Sequence, residues 1–236
     1  MNLSASPATN DAAGPLTLTV VDGQRSTLLT CRAILFDMDG TLVDSTACVE
    51  RVWRDWALRH GVDVPSLLAF AHGRRNQEVL RAVAPHLETP ETLAALERSE
   101  EECREGIREV PGARALLGQL AAGRWAVVTS AWRKLAEIRL ACAGLPTPET
   151  LIGADDVATG KPDPAGYLAA ARTLAVSPAE CVVIEDAIAG VQAGVAAGMQ
   201  VIGVTTTYSR DRLPCRLCVP DLTALRLGAG GAPATP

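Results

Sequence analysis

Aromatic residues are scarce in this chain: two Phe, two Tyr and four Trp make up 3% of its 236 residues. So few rings leave no stacking platform of the kind that single-stranded nucleic acids need. Lysine is also scarce. It occurs only at Lys134 and Lys161, and every other basic residue is arginine. No segment holds the roughly 18 consecutive apolar residues of a membrane-spanning helix, so no span is expected. The N-terminus lacks a basic start followed by an apolar core, so no secretory leader is expected either. A net charge of −5 argues against nucleic acid or an anionic membrane as the main partner. The seven cysteines (31, 48, 103, 142, 181, 215 and 218) are odd in number and scattered. That is the pattern of reduced thiols in a cytoplasm, not of a disulfide framework. Cys215-Arg216-Leu217-Cys218 has no second pair and no nearby histidine, so neither metal nor redox chemistry is expected of it.

What is present fits a globular enzyme, with an ordinary hydrophobic content of 48%. The expected fold class is α/β, a Rossmann-like parallel sheet core with a small inserted α-helical cap. Apolar runs at Ala33–Phe36, Trp125–Val128, Cys181–Ile184 and Val201–Val204 read as buried strands. Helical stretches are expected at 112–122, 131–143, 164–175 and 187–197, and the alternation argues a parallel sheet covered on both faces. Residues 46–110 break it. They contain no convincing strand and read as helices at 46–60, 76–84 and 90–106, a lid placed over the carboxyl end of the first strand. The Trp53/Trp56 pair reads as lid core. The catalytic core is then expected over 31–45 and 111–227. Residues 1–15 are expected to be a disordered lead, and 1–30 as a whole are either a tail or, from Leu16 on, a hairpin.

Chemistry concentrates at the strand ends. The run Ala33–Phe36 ends in Asp37-Met38-Asp39-Gly40-Thr41, two carboxylates at i and i+2 followed by a turn. Like charges this close require a cation or a proton. A hard divalent ion with oxygen ligands resolves the repulsion, and magnesium fits best if the substrate brings phosphate oxygens. Val127-Val128 ends in the hydroxyls of Thr129 and Ser130. Gly160-Lys161-Pro162-Asp163-Pro164 puts a rare lysine in a rigid turn, with Asp163 expected as a helix N-cap and Pro164 as first helical residue. Cys181–Ile184 ends in Glu185-Asp186, one expected to face the cleft and the other to brace it. Gly190, Gly194 and Gly198 then form a stripe, expected to pack a helix closely on the sheet.

Asp-x-Asp-Gly-Thr, Thr-Ser, Lys-Pro and Glu-Asp, in that order and each at a strand end, resemble the haloacid dehalogenase-like hydrolases. The lid resembles that of their helical-cap subgroup. Within it, the sugar-phosphate and polyol-phosphate phosphatases are most similar, and the likeness spans about residues 31–225. It implies a magnesium-dependent phosphomonoesterase of the cytoplasm, a monomer acting on small phosphorylated metabolites. Asp37 would be the nucleophile, forming an aspartyl-phosphate. Asp39 would protonate the leaving alcohol and then activate water. Thr129 and the Ser130 backbone would hold phosphoryl oxygens, and Lys161 would offset charge on them and on Asp37. Magnesium would sit between Asp37, the Asp39 main-chain carbonyl and Asp186, with Glu185 a direct or outer ligand. Arg75, in the lid run His72-Gly73-Arg74-Arg75, stands where those enzymes carry an arginine. Ala131 departs from their common glycine, with an effect expected on substrate fit.

The resemblance leaves branches to separate. Asp39 occupies the proton-donor position that the dehalogenase branch does not need. The phosphonate-cleaving branch needs a lid lysine, and residues 44–133 contain none. A phosphosugar mutase of the β-phosphoglucomutase type is the alternative. Such mutases carry a histidine where this chain has Val49, which favours the phosphatase.

Overall fold

The computed structural model describes residues 14–228; the first part of the lead expected over 1–15 lies outside them. The chain enters through an antiparallel hairpin of β1 (Leu16–Asp22) and β2 (Arg25–Cys31). Asp22 faces Arg25 across a two-residue turn, in which Gly23 supplies a φ of 60°. Leu18 and Val20 point into the main core and are fully buried. β3 (Ala33–Phe36) leads to a turn and the short β4 (Val43–Asp44). Four helices follow: α1 (Thr46–His60), α2 (Val64–Ala71), α3 (Asn76–Val83) and α4 (Pro90–Glu102). β5 (Arg108–Glu109) pairs antiparallel with β4, so the two chain crossings between helices and sheet lie side by side.

The remainder alternates: α5 (Ala113–Leu117), β6 (Trp125–Val128), α6 (Arg133–Cys142), β7 (Leu151–Ile152), α7 (Ala165–Thr173), β8 (Cys181–Glu185), α8 (Ile188–Ala196) and β9 (Gln200–Val204). β10 (Leu217–Val219) completes a six-stranded parallel sheet in the order β10-β9-β8-β3-β6-β7. β11 (Leu225–Gly228) pairs with β1 and makes the hairpin three-stranded. Strands β3, β6 and β8 are buried along their whole length, because helices cover both faces. Ile34 and Phe36 turn to a core shared with α5 and α6; Ala33 and Leu35 turn to one shared with α7 and α8. Strand order reverses at β3, so its carboxyl end opens on a crevice where such sheets bind ligands.

The helices α1–α4 bury a core of their own around Trp53, Trp56, Leu67, Leu80 and Leu96. Trp53 and Trp56 meet edge to face at 5.8 Å.

Several boundaries differ from the sequence reading. α2 lies where no helix is expected: Asp63 caps the Ser66 N–H and Pro65 occupies its first turn, but it has only eight residues. A strand, β5, occurs within 46–110, too short to show an alternation. The first core helix spans 113–117, not 112–122. At the Lys161 turn the cap residue is Pro164; Asp163 Oδ1 still accepts from the Ala165 N–H at 2.9 Å. Of the glycine stripe, Gly190 and Gly194 face the sheet. Gly198 lies past the end of α8 at φ 75°, facing open space.

Candidate active site

The ends of β3, β6 and β8 and the loop before α7 bring the acidic, hydroxyl and lysine segments together. Asp37 follows β3 directly, its N–H donating to the Ile184 carbonyl at 2.9 Å, which fixes it beside the end of β8. The next turn wraps the N–H groups of Thr41, Leu42 and Val43 around the Met38 carbonyl. Gly40 sits in it at φ 83°, and a Cβ there would lie 2.1 Å from Asp186 Oδ2. Only glycine allows that turn and Asp186 to coexist.

Lys161 Nζ donates to Asp37 Oδ1 at 2.5 Å and to Glu185 Oε1 at 2.6 Å. All three side chains are buried. Glu185 has little left to offer: Tyr167 Oη donates to Oε1 at 3.1 Å and the Ala187 N–H to Oε2 at 2.9 Å. Gly190 makes room for it, since a Cβ there would lie 1.5 Å from Oε1. Asp186 accepts from Thr41 Oγ1 at 3.3 Å.

Carboxylate oxygens of Asp37, Glu185 and Asp186 lie within 4.8 Å of one another. Three buried acids against the single ammonium of Lys161 leave excess negative charge, and the acids register it. Burial, then the Glu185 charge, pushes Asp186 up to about 8. Burial drives Asp37 well above the usual carboxylate range, against the pull of Lys161. Burial alone would lower Lys161, but Asp37 and Glu185 outweigh it and hold the ammonium charged. A hard divalent cation fits this all-oxygen, electron-rich cluster.

The Asp39 carboxylate points away from the acid cluster. Ser45 Oγ donates to its Oδ1 at 2.5 Å and Arg139 Nη1 to its Oδ2 at 2.7 Å. Thr129 is buried and its Oγ1 accepts from the Ala131 N–H at 3.1 Å. Ser130 lines the cleft, but its hydroxyl donates to the Gly73 carbonyl of the helical lid at 2.8 Å. Arg75 also reaches the cleft from the lid, with Nη1 donating to the Ala158 carbonyl at 3.3 Å and a buried Nε that has no acceptor among the described residues.

Asp37, Asp39, Thr129, Ser130, Asp186 and Arg75 line a cleft of about 280 Å³ between sheet and lid. Its lid wall includes Val49, Trp53, His72 and Asn76; Ala131 and Trp132 face it from the sheet side. His72 packs edge-on against Tyr208 at 6.3 Å, and burial lowers its pKa.

A family model described as hydrolase, haloacid dehalogenase-like hydrolase, matches residues 31–198. The chain belongs to the haloacid dehalogenase-like hydrolase family. It is 45% identical over 188 residues to hexitol phosphatase A of Escherichia coli, covering 78% of this chain and 87% of that one. It is 34% identical over 220 residues to glycerol-1-phosphate phosphohydrolase 2 of Saccharomyces cerevisiae, covering 86% and 88%. Among solved structures, a hydrolase from Pseudomonas syringae superposes with a TM-score of 0.71 at 25% identity, covering 81% of this chain and 94% of that one.

Sequence reasoning missed Ser45, Asn76, Glu100, Tyr167 and Arg139. One signal was available. α6 buries Leu135, Ala136, Arg139 and Leu140, so an arginine stands in register on its apolar face. Glu100 likewise follows Leu96 by one helical turn on the buried face of α4.

Proposed function

We propose that the chain is a magnesium-dependent phosphatase that hydrolyses small phosphorylated sugars or polyols through an aspartyl-phosphate on Asp37. The observation that carries this is the buried Asp37–Lys161–Glu185 ion triad with Asp186 beside it, of which Asp37 and Asp186 line a lidded cleft. Names of the relatives, a hexitol phosphatase and a glycerol-1-phosphate phosphohydrolase, support the substrate class.

Asp37, Asp186 and the Asp39 main-chain carbonyl would hold magnesium, with Glu185 outside them because its oxygens are engaged by Lys161, Tyr167 and Ala187. Bound there, the ion would supply Lewis-acid charge neutralisation at the phosphoryl oxygens. An Asp37 carboxylate oxygen attacks phosphorus as the bond to the ester oxygen breaks. Asp39 gives a proton to that oxygen, which leaves as the alcohol. Water then attacks phosphorus, Asp39 takes its proton, and the phosphorus–Asp37 bond breaks to release phosphate. Lys161 offsets charge on Asp37 and the phosphoryl group, while Thr129 and Ser130 position the oxygens and Arg75 reads the substrate from the lid. Positioning and charge neutralisation are what phosphoryl transfer asks of a protein.

The test is a screen of phosphate release from hexitol, hexose, pentose and glycerol phosphates, with and without magnesium. Magnesium-dependent release is expected from one or more polyol or sugar phosphates and none from Asp37→Asn. Release that persists in Asp37→Asn would remove Asp37 from the nucleophile's role.

A further inference from the structure

Asp39 is tied to the lid by an unbroken chain of polar contacts. Arg139 on α6 holds Asp39 with Nη1 at 2.7 Å and Glu100 of α4 with Nη2 at 3.2 Å. Asn76, at the start of α3, donates its side-chain amide to the other Glu100 oxygen. Arg139 and Glu100 are each about 95% buried, with side-chain exposures of 5%. The guanidinium has a buried Nε with no acceptor among the described residues, so two carboxylates from two different layers carry its burial. A buried ion pair of this kind is costly unless both partners stay in place. The lid therefore sets where Arg139 lies, and Arg139 sets where the Asp39 carboxylate lies.

We infer that Arg139 is a positioning residue, which Glu100 and Asn76 of the lid hold in place so that it fixes the Asp39 carboxylate toward the leaving oxygen. The inference rests on the reading of Asp39 as proton donor. Lysine would not reproduce the arginine: its ammonium is one point, whereas the guanidinium spans the gap by holding Asp39 with Nη1 and Glu100 with Nη2.

A comparison of leaving groups tests this. An alkyl phosphate needs a proton on its departing oxygen, whereas p-nitrophenyl phosphate releases a stable phenolate and needs little help. Wild type, Asp39→Asn, Arg139→Met, Arg139→Lys and Glu100→Gln are assayed on both, with thermal midpoints recorded. Asp39→Asn should lose about 10²–10⁴-fold on the alkyl ester, the range of general acid–base catalysis, and far less on the aryl ester. Arg139→Met and the near-isosteric Glu100→Gln should show the same selectivity in kcat, at least roughly tenfold on the alkyl ester, with Arg139→Lys failing to rescue it. Equal losses on both esters, or none, in Glu100→Gln and the Arg139 variants would overturn the inference while a selective Asp39→Asn left the proton-donor reading intact. An Asp39→Asn enzyme without selectivity would sink the proton-donor reading and, with it, the role of Arg139.

Discussion

Two glycines, Gly40 beside Asp186 and Gly190 beside Glu185, decide whether the acid cluster can form. Gly190 leaves the space into which Glu185 folds, with a Cβ there placed 1.5 Å from Oε1. Gly190→Ala should displace Glu185, release Lys161 from its second carboxylate and cost about 1–3 kcal/mol from overpacking alone. Chemical denaturation and phosphate release check it together. A variant of wild-type stability and activity would mean that Glu185 does not brace Lys161. Asp186 sets a pH dependence. Its folded-state pKa lies up at about 8 against an ordinary 3.8, raised by burial and then by Glu185. The unfolded chain therefore ionises it more easily. Its contribution to stability is complete below 3.8 and is lost as pH rises toward about 8. A cation favours the carboxylate, so the gain in thermal midpoint from magnesium should grow across that window and shrink in Asp186→Asn. A gain that stays constant with pH would contradict the assignment.

At the scale of elements, the strands that carry the candidate site were legible because burial on both faces writes them as unbroken apolar runs, as at Ile34-Leu35-Phe36 and Val182-Val183-Ile184. Two-residue strands such as β4, β5 and β7 carry too little pattern to be read. The site was legible where it follows a strand, at Asp37, Thr129 and Glu185-Asp186. It was illegible at Glu100 and Arg139, whose meaning depends on which helices meet. The alternation in Leu16–Val20 left open whether 16–31 is a tail or a hairpin, because an isolated hairpin is marginal and needs partners that can lie far along the chain. Here β11 supplies one, pairing with β1 from Thr17 to Val20. Leu18 is fully buried in the main core, so Leu18→Ala should cost about 2–5 kcal/mol. Urea denaturation checks this, and a cost near zero would show that the hairpin is dispensable to the core.

At the scale of the molecule, lid and sheet are joined by hydrogen bonds beside the candidate site. Contacts between them converge on the site: Ser130 to Gly73, Arg75 to Ala158, Arg139 to Glu100. Val49 faces the same cleft, where a phosphosugar mutase would be expected to carry a histidine. Incubation of β-glucose 1-phosphate with a bisphosphate primer should therefore yield free phosphate faster than glucose 6-phosphate. The reverse order would make the chain a mutase. The proposal of a covalent step on Asp37 has a more direct test: acid quench during turnover of a polyol phosphate with magnesium, followed by peptide mass spectrometry. Wild-type enzyme should carry a phosphoryl group on the peptide containing Asp37, and Asp37→Asn should carry none and release no phosphate. Steady turnover with that peptide never modified would contradict the covalent mechanism.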